Sequence, residues 1–381
     1  MKRQSSDRRA TLRDVAAHAG LSVSAVSQAL LGRPGIPDAT RSRVREAVAA
    51  LGYAPNSAAR ALRTRSSTTV GLLLLGRNTA RSLAIHSEAV LAVADEVLRG
   101  GYDLKMVHGP TELLAREPLE KTVARADLAG AVCIGIDARA ADLRALVRRD
   151  FPFIFVGKRE LPGVPIPFVS TDYLGGARMA AEHLLRLGHC RIAVAFDPGV
   201  RDLPWIRDRI AGYTLALHER QPVAEGPLEL HIDDTGRGAE PEDVDRWRAT
   251  GISAIFAVGY PTASIVLRAL HLRGVGVPGE MAVVGFDDLP EAAAQLPPLT
   301  TVKQPEAALG ALAARTLLAW LGGAPREAGS LYVPATLVVR RSCGGMVPAG
   351  VDLEGVDLDA ARADSKGLDG AADRVAAGEQ R

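Results

Sequence analysis

The apolar positions of this chain follow two patterns, one before about residue 66 and another after residue 68. In the first, TLRDVAAHAG (11–20) sets Val15, Ala16 and Ala19 on one helical face. Thr11 stands where an N-cap belongs, and Asp14 three positions on completes a capping box. Gly20 permits a tight turn. Ser22 is placed to cap a second helix, in which Val23, Val26 and Leu30 recur as a stripe expected to be buried. A third helix is expected from Asp38 or Thr40, with Val44, Val48 and Leu51 inward and Gly52 at its end. Three such helices enclose one small core. They leave Ser24, Ala25, Ser27 and Gln28 on the outer face of the second helix.

After residue 68 the pattern changes to short continuous apolar runs separated by helical stretches. Thr69–Leu75, Leu104–Val107, Ala131–Ile134 and Phe153–Val156 read as strands, with a helix at about 85–99. A second unit begins near Val169: helix 174–187, strand 191–195, helix 208–219, strand 228–230, strand 254–258, helix 262–273 and strand 281–286. Alternating buried strands and helices predict α/β architecture, with parallel sheets covered by helices and a site at the strand C-termini. The first strand leads into no phosphate-cradling glycine loop, so no cofactor is expected.

Charge sharpens the division. The net charge is only +2, yet residues 1–65 carry 12 Lys/Arg against 4 Asp/Glu, while 347–381 carry 8 acidic and 4 basic residues. A basic three-helix head suits a polyanion. The second helix can enter a DNA major groove, with Gln28 able to pair with an adenine edge and Ser22 near phosphate. Arg41, Arg43 and Arg45 are candidate backbone neutralisers, each of which could equally be a solvated surface residue. Cys133, Cys190 and Cys343 are too few and scattered for a disulfide framework. No apolar stretch is long enough to span a membrane, and the N-terminus lacks the apolar core of a signal peptide, so a cytoplasmic protein is expected.

The head resembles that of the lactose-repressor family of bacterial regulators. TLRDVAAHAGLSVSAVSQAL (11–30) is similar to its helix-turn-helix, and TRSRVREAVAALGYAPNSAARALRTR (40–65) to its third helix and hinge. The resemblance implies base reading by Val23, Ser24, Ser27 and Gln28, with Thr11, Ser22, Arg41 and Asn56 among the DNA-binding residues. It also implies a hinge helix that folds only on operator DNA, with Leu62 as a minor-groove wedge and Ala59 against the groove floor. The short, Ala-rich run 57–63 is physically suited to that behaviour, being too short to be stable alone. Gln28 departs from the arginine common there, as Leu31 departs from asparagine.

The remainder resembles the sensor of the same family, a two-lobed periplasmic-binding-protein-like α/β unit of doubly wound parallel sheets. VSTDYLGGARMAAEHLLRLGHCRIAV (169–194), DRIAGYTLAL (208–217), AIFAV (254–258), GVPGEMAVVGFDD (276–288) and PPLTTVKQP (297–305) carry that likeness. The implied layout is a DNA-binding domain at 1–54 and a hinge at 55–67, then a first lobe from 68–168 plus 299–326. A second lobe from 169–298 plus 327–345 and a disordered acidic tail at 346–381 complete it. By the same match Arg209 grips the ligand and Asp287 accepts its hydroxyls. An interlobe salt bridge and a turn role are the plainer readings of those two residues. Asp172 sits near the lobe crossover, with a role that could be structural. Gly259-Tyr260-Pro261 replaces the family's Asn-Asp, leaving Tyr260 to stack on a ring, and Asn78–Leu83 replaces an aromatic segment. Trp205 lines the cleft mouth or simply packs.

The implied partners are double-stranded operator DNA, a small-molecule effector such as a carbohydrate, and a second copy in a homodimer, with no membrane. The function implied is a repressor controlled by a polar ligand, or alternatively a constitutive repressor with a degenerate sensor. The histidines show no metal spacing, and no nucleophile elbow is present, so an enzyme is not expected.

Overall fold

The computed structural model describes residues 11–30, 36–51, 67–75, 83–109, 118–135, 138–220, 227–233, 238–326 and 329–345. The chain divides into two compact units, with the boundary after Thr68.

The first unit contains α1 (Leu12–Ala19), α2 (Val23–Leu30) and α3 (Asp38–Leu51). The capping box forms: Asp14 N donates to Thr11 Oγ1 at 3.4 Å, and Thr11 N donates to Asp14 Oδ2 at 2.7 Å. Gly20 ends α1 at φ 62°, a left-handed conformation that needs no Cβ. Ser22 Oγ accepts from Ala25 N at 3.1 Å and caps α2. The core is Val15, Ala16, Ala19, Val26, Val44 and Ala47, with Leu12, Leu21, Ala29, Val48 and Leu51 packed around it. Val23 is not part of the buried stripe expected for it, being 39% exposed. As the first residue of a short helix it overhangs the core, and Val26 and Ala29 make the inward contacts.

The second unit is built on two six-stranded sheets. The first contains β1 (Thr69–Leu75), β2 (Asp103–Gly109), β3 (Gly130–Ile134), β4 (Phe153–Val156), β5 (Phe168–Thr171) and β11 (Ser330–Val333), in the order β11-β5-β4-β3-β1-β2. The second contains β6 (Ile192–Phe196), β7 (Leu228–His231), β8 (Ala254–Ala257), β9 (Ala282–Phe286), β10 (Thr300–Lys303) and β12 (Thr336–Val338), in the order β12-β10-β9-β8-β6-β7. Pairing is parallel wherever its register is defined, except that β12 runs antiparallel to β10. Strands β3, β4, β6, β8 and β9 are buried throughout, which is why each reads as a continuous apolar run.

The helices are α4 (Ser87–Arg99), α5 (Leu119–Arg125), α6 (Ala140–Arg148), α7 (Tyr173–Arg186), α8 (Pro204–Arg220), α9 (Pro241–Ala249), α10 (Tyr260–Leu272), α11 (Pro290–Ala294) and α12 (Glu306–Leu321). Two pairs approach closely enough to require glycine. Gly310 of α12 lies against the Ala89 carbonyl of α4, and Gly212 of α8 against the Leu174 carbonyl of α7.

The chain crosses between lobes after β5, again between β10 and α12, and finally between β11 and β12. These crossings revise the lobe boundaries expected from the sequence. The first lobe runs to Thr171, where the expectation stopped at 168. β10 lies in the second sheet, registered with β9 through Thr300 and Val284, so 299–303 does not belong to the first lobe. β11 pairs with β5, so 330–333 belongs to the first lobe and not the second. A four-residue strand such as SLYV or TTVK can join either sheet; only the distant partner decides which.

Candidate functional site

On the first unit, Ser24 and Gln28 are exposed and Ser27 half-buried on the face of α2 away from the core, beside exposed Val23. The structure therefore brings Val23, Ser24, Ser27 and Gln28 onto one accessible surface, with Ser22 at the helix N-terminus. The three arginines of α3 differ. Arg45 is exposed. Arg41 is half-buried and its Nε donates to Ile36 O at 3.2 Å. Arg43 Nη2 donates to Ala19 O at 2.5 Å, placing a cation at the C-terminal end of α1. Arg43 thus has an internal structural role that its spacing did not reveal. Asn56, Ala59 and Leu62, with the rest of 52–66, lie outside the described residues, as do 76–82 and 346–381.

In the second unit, Arg209 and Asp287 come together although 78 positions apart in sequence. Both are buried, at 4% and 7% exposure. Arg209 Nη2 donates to Asp287 Oδ1 at 3.1 Å, and Nη1 reaches Oδ2 at 3.4 Å and donates to Val258 O at the end of β8. The guanidinium lies over the Phe286 ring at 3.7 Å and meets the Tyr173 ring at 4.8 Å. Asp287 adopts φ 74°, and its N–H donates to Val302 O at 2.9 Å. That bond ties a strained turn to β10. Gln304 Nε2 donates to Asp287 Oδ1 at 2.6 Å, and Thr171 Oγ1 donates to Gln304 Oε1 at 2.7 Å. One hydrogen-bonded line therefore runs Thr171–Gln304–Asp287–Arg209 through two of the lobe crossovers.

With so many bonds made, one polar atom stands out. Arg209 Nε is buried and has no hydrogen-bond partner. Gly259 lies beside the pair: a Cβ there would lie 3.5 Å from Asp287 Oδ2 and 3.8 Å from Arg209 Nη1.

The other expected ligand residues sit differently. Tyr260 is half-buried at the start of α10, and its hydroxyl accepts from Gln295 Nε2 at 2.8 Å. Trp205 is half-buried at the start of α8 and packs against the core that includes Ile206 and Ile210. Asp172 caps α7, its Oδ1 accepting from Gly175 N at 2.8 Å.

The sequence reading missed Gln304, Thr171, Tyr173 and a second pair, half-buried His86 with buried Glu306. His86 Nδ1 lies 3.0 and 3.2 Å from the two Glu306 oxygens. Burial alone would lower the His86 pKa, but the charge and hydrogen bond of Glu306, helped by Asp287 against Arg209, raise it above 6.5. The Lys303-Gln304-Pro305-Glu306 run is a polar break between an apolar strand and helix, the one local signal of these roles. Among the described residues no cluster of three or more His, Cys, Asp or Glu is placed to hold a metal. No helix among them is long and apolar enough to cross a membrane.

Comparison with known proteins identifies the family. Residues 11–56 match the family described as bacterial regulatory proteins, lacI family, and residues 181–343 match the periplasmic binding protein-like domain. The chain is 31% identical over 341 residues to the HTH-type transcriptional regulator CelR of Thermobifida fusca, covering 88% of this chain and 98% of that protein. It is 30% identical over 336 residues to the ribose operon repressor of Bacillus subtilis strain 168, covering 87% and 98%. Among solved structures it is similar to a CelR–cellobiose complex, with TM-score 0.65, 29% identity, and 88% and 100% of the two chains covered. It is also similar to the lac repressor dimer bound to operator and the anti-inducer ONPF, with TM-score 0.58, 25% identity, and 88% and 99% covered. The chain belongs to the LacI/GalR family of bacterial helix-turn-helix transcriptional regulators: it is a ligand-responsive, DNA-binding repressor and not an enzyme.

Proposed function

We propose that α2 reads operator bases through Val23, Ser24, Ser27 and Gln28, while Thr11, Ser22 and Arg41 meet phosphates. Asn56, Ala59 and Leu62 form the minor-groove hinge of each protomer. The effector is a small hydroxyl-rich molecule, carbohydrate in class, held in the interlobe cleft by Arg209 and Asp287 with Tyr260 and Trp205 at its edge. Domain assignment follows: a DNA-binding head to 54, a hinge at 55–67, the two-lobed sensor to 345, and a tail beyond it. The DNA partner places the protein in the cytoplasm.

The unpartnered Nε of buried Arg209 carries the effector reading. A buried donor left without an acceptor costs about 1–3 kcal/mol, and a ligand oxygen would remove that cost. The CelR structure with cellobiose and the ribose operon repressor support a carbohydrate. A second reading rests on Gly259-Tyr260-Pro261 and on the mutual pairing of Arg209 with Asp287: a sensor satisfied by its own side chains, in a constitutive repressor.

The deciding experiment selects genomic DNA fragments bound by the purified dimer, then repeats binding across a panel of mono- and disaccharides and other metabolites. One compound is expected to shift affinity for a pseudo-palindromic site, and Arg209→Met is expected to keep operator binding while losing that shift. Unchanged binding across the panel would leave the constitutive reading in its place.

A further inference from the structure

We infer that Lys158, Glu160, Arg207 and Asp208 form an ionic latch that holds the two lobes of the sensor together without help from an effector. Lys158 and Glu160 follow β4 of the first lobe, whereas Arg207 and Asp208 lie on α8 of the second. Lys158 Nζ lies 2.9 and 3.1 Å from the two Asp208 oxygens and 3.3 Å from Glu160 Oε1. The other Glu160 oxygen accepts from Arg207 Nη2. Two cations and two anions thus alternate across the lobe boundary.

Burial separates this cluster from ordinary surface pairs. Lys158 is 8% exposed and Asp208 6%, whereas the Glu160 and Arg207 side chains are 44% and 47% exposed. Exposed pairs contribute little, about 0–1 kcal/mol. A buried ammonium is tolerated only when paired, and removing its partner strands an uncompensated charge. The Lys158 backbone is fixed as well, its N–H donating to Ser170 Oγ of β5 at 3.1 Å.

Burial opposes the Lys158 charge, but Asp208 and Glu160 outweigh it and keep the ammonium pKa above its ordinary value. Burial also lifts the Asp208 carboxyl above its ordinary range, against the pull of Lys158. These directions oppose each other, and the ammonium, surrounded by oxygens of both acids, is the charge the geometry secures. Because Arg207 and Asp208 directly precede Arg209 on α8, release of the latch would move the helix that carries the arginine paired with Asp287. The lobe crossovers are covalent and cannot part; Lys158–Asp208 is a tie that can.

The test measures interlobe distance in the full-length homodimer without effector. Nitroxides are attached at Ala141→Cys on the first lobe and His218→Cys on the second, in a Cys190→Ser background, with labelled subunits diluted into unlabelled ones. The comparison is among the unlatched variants Lys158→Met and Asp208→Leu and the reversed pair Lys158→Asp with Asp208→Lys, made together with Glu160→Arg and Arg207→Glu so that every neighbouring charge changes sign. The expected result is a longer, broader distance distribution in each single variant and return toward the parental distribution in the reversed pair. Folded single variants with the parental distribution, or single variants that open with no recovery on reversal, would overturn the latch. Should the single variants fail to fold, Asp208→Asn, which removes the charge and keeps the side-chain shape, reports the same distance: broadening supports the latch, and no change overturns it.

Discussion

At the scale of single residues, the cleft is governed by what burial does to charge. Arg209 is held in place by Asp287, two aromatic rings and the Val258 carbonyl. Burial lowers the His86 pKa, but Glu306, with Asp287 assisting and Arg209 opposing, raises it above its ordinary value. Because the folded-state pKa of His86 lies above 6.5, its contribution to stability is complete below about that value and is lost as pH rises through the folded pKa. The expected outcome is a thermal midpoint for the sensor that falls as pH rises above 6.5, and a flatter profile for His86→Gln. The difference should reach about 1.5–3 kcal/mol, the scale of a hydrogen bond to a charged group. Parallel profiles for the two proteins would mean that the pair does not titrate as its geometry requires.

At the scale of elements, the sensor depends on two helix pairs whose backbones touch. Gly310 places α12 against α4, and Gly212 places α8 against α7. In each case an added methyl would overlap a backbone carbonyl, which cannot rotate away as a side chain can. Gly310→Ala and Gly212→Ala are each expected to cost about 2 kcal/mol or more, measured by denaturant unfolding of the sensor transition. Gly279→Ala is the control: nothing lies within 4 Å of its added methyl, and its φ is outside the left-handed region, so its cost should be small. An equal loss in all three would mean that close approach is not the cause.

At the scale of the whole molecule, a repressor that responds to a ligand must couple two sites, and the coupling is reciprocal. If the effector changes operator affinity by some factor, saturating operator must change effector affinity by the same factor, typically about 5–150-fold. Paired titrations, effector with and without operator and operator with and without effector, are expected to agree. Disagreement would point to a third linked equilibrium, such as dimer dissociation.

Much of this was legible along the chain because it is local. A cap needs only its own next three residues, so Thr11 with Asp14, and Ser22, could be read directly. A fully buried strand advertises itself by composition, and the runs expected at 131–134 and 153–156 correspond to Gly130–Ile134 and Phe153–Val156. What the tertiary structure alone decided are the relations between distant segments. They include the second-sheet place of β10, the first-sheet place of β11, the exposure of Val23 and the use of Arg43 at the end of α1. They also include the pairing of His86 with Glu306 across 220 positions and of Lys158 with Asp208 across 50. Periodicity and capping are set by backbone geometry within a few residues, so they are written in order along the chain. Sheet membership and buried charge pairs depend on which distant segment supplies the missing hydrogen bonds and counter-charge, and only the folded chain brings that segment near.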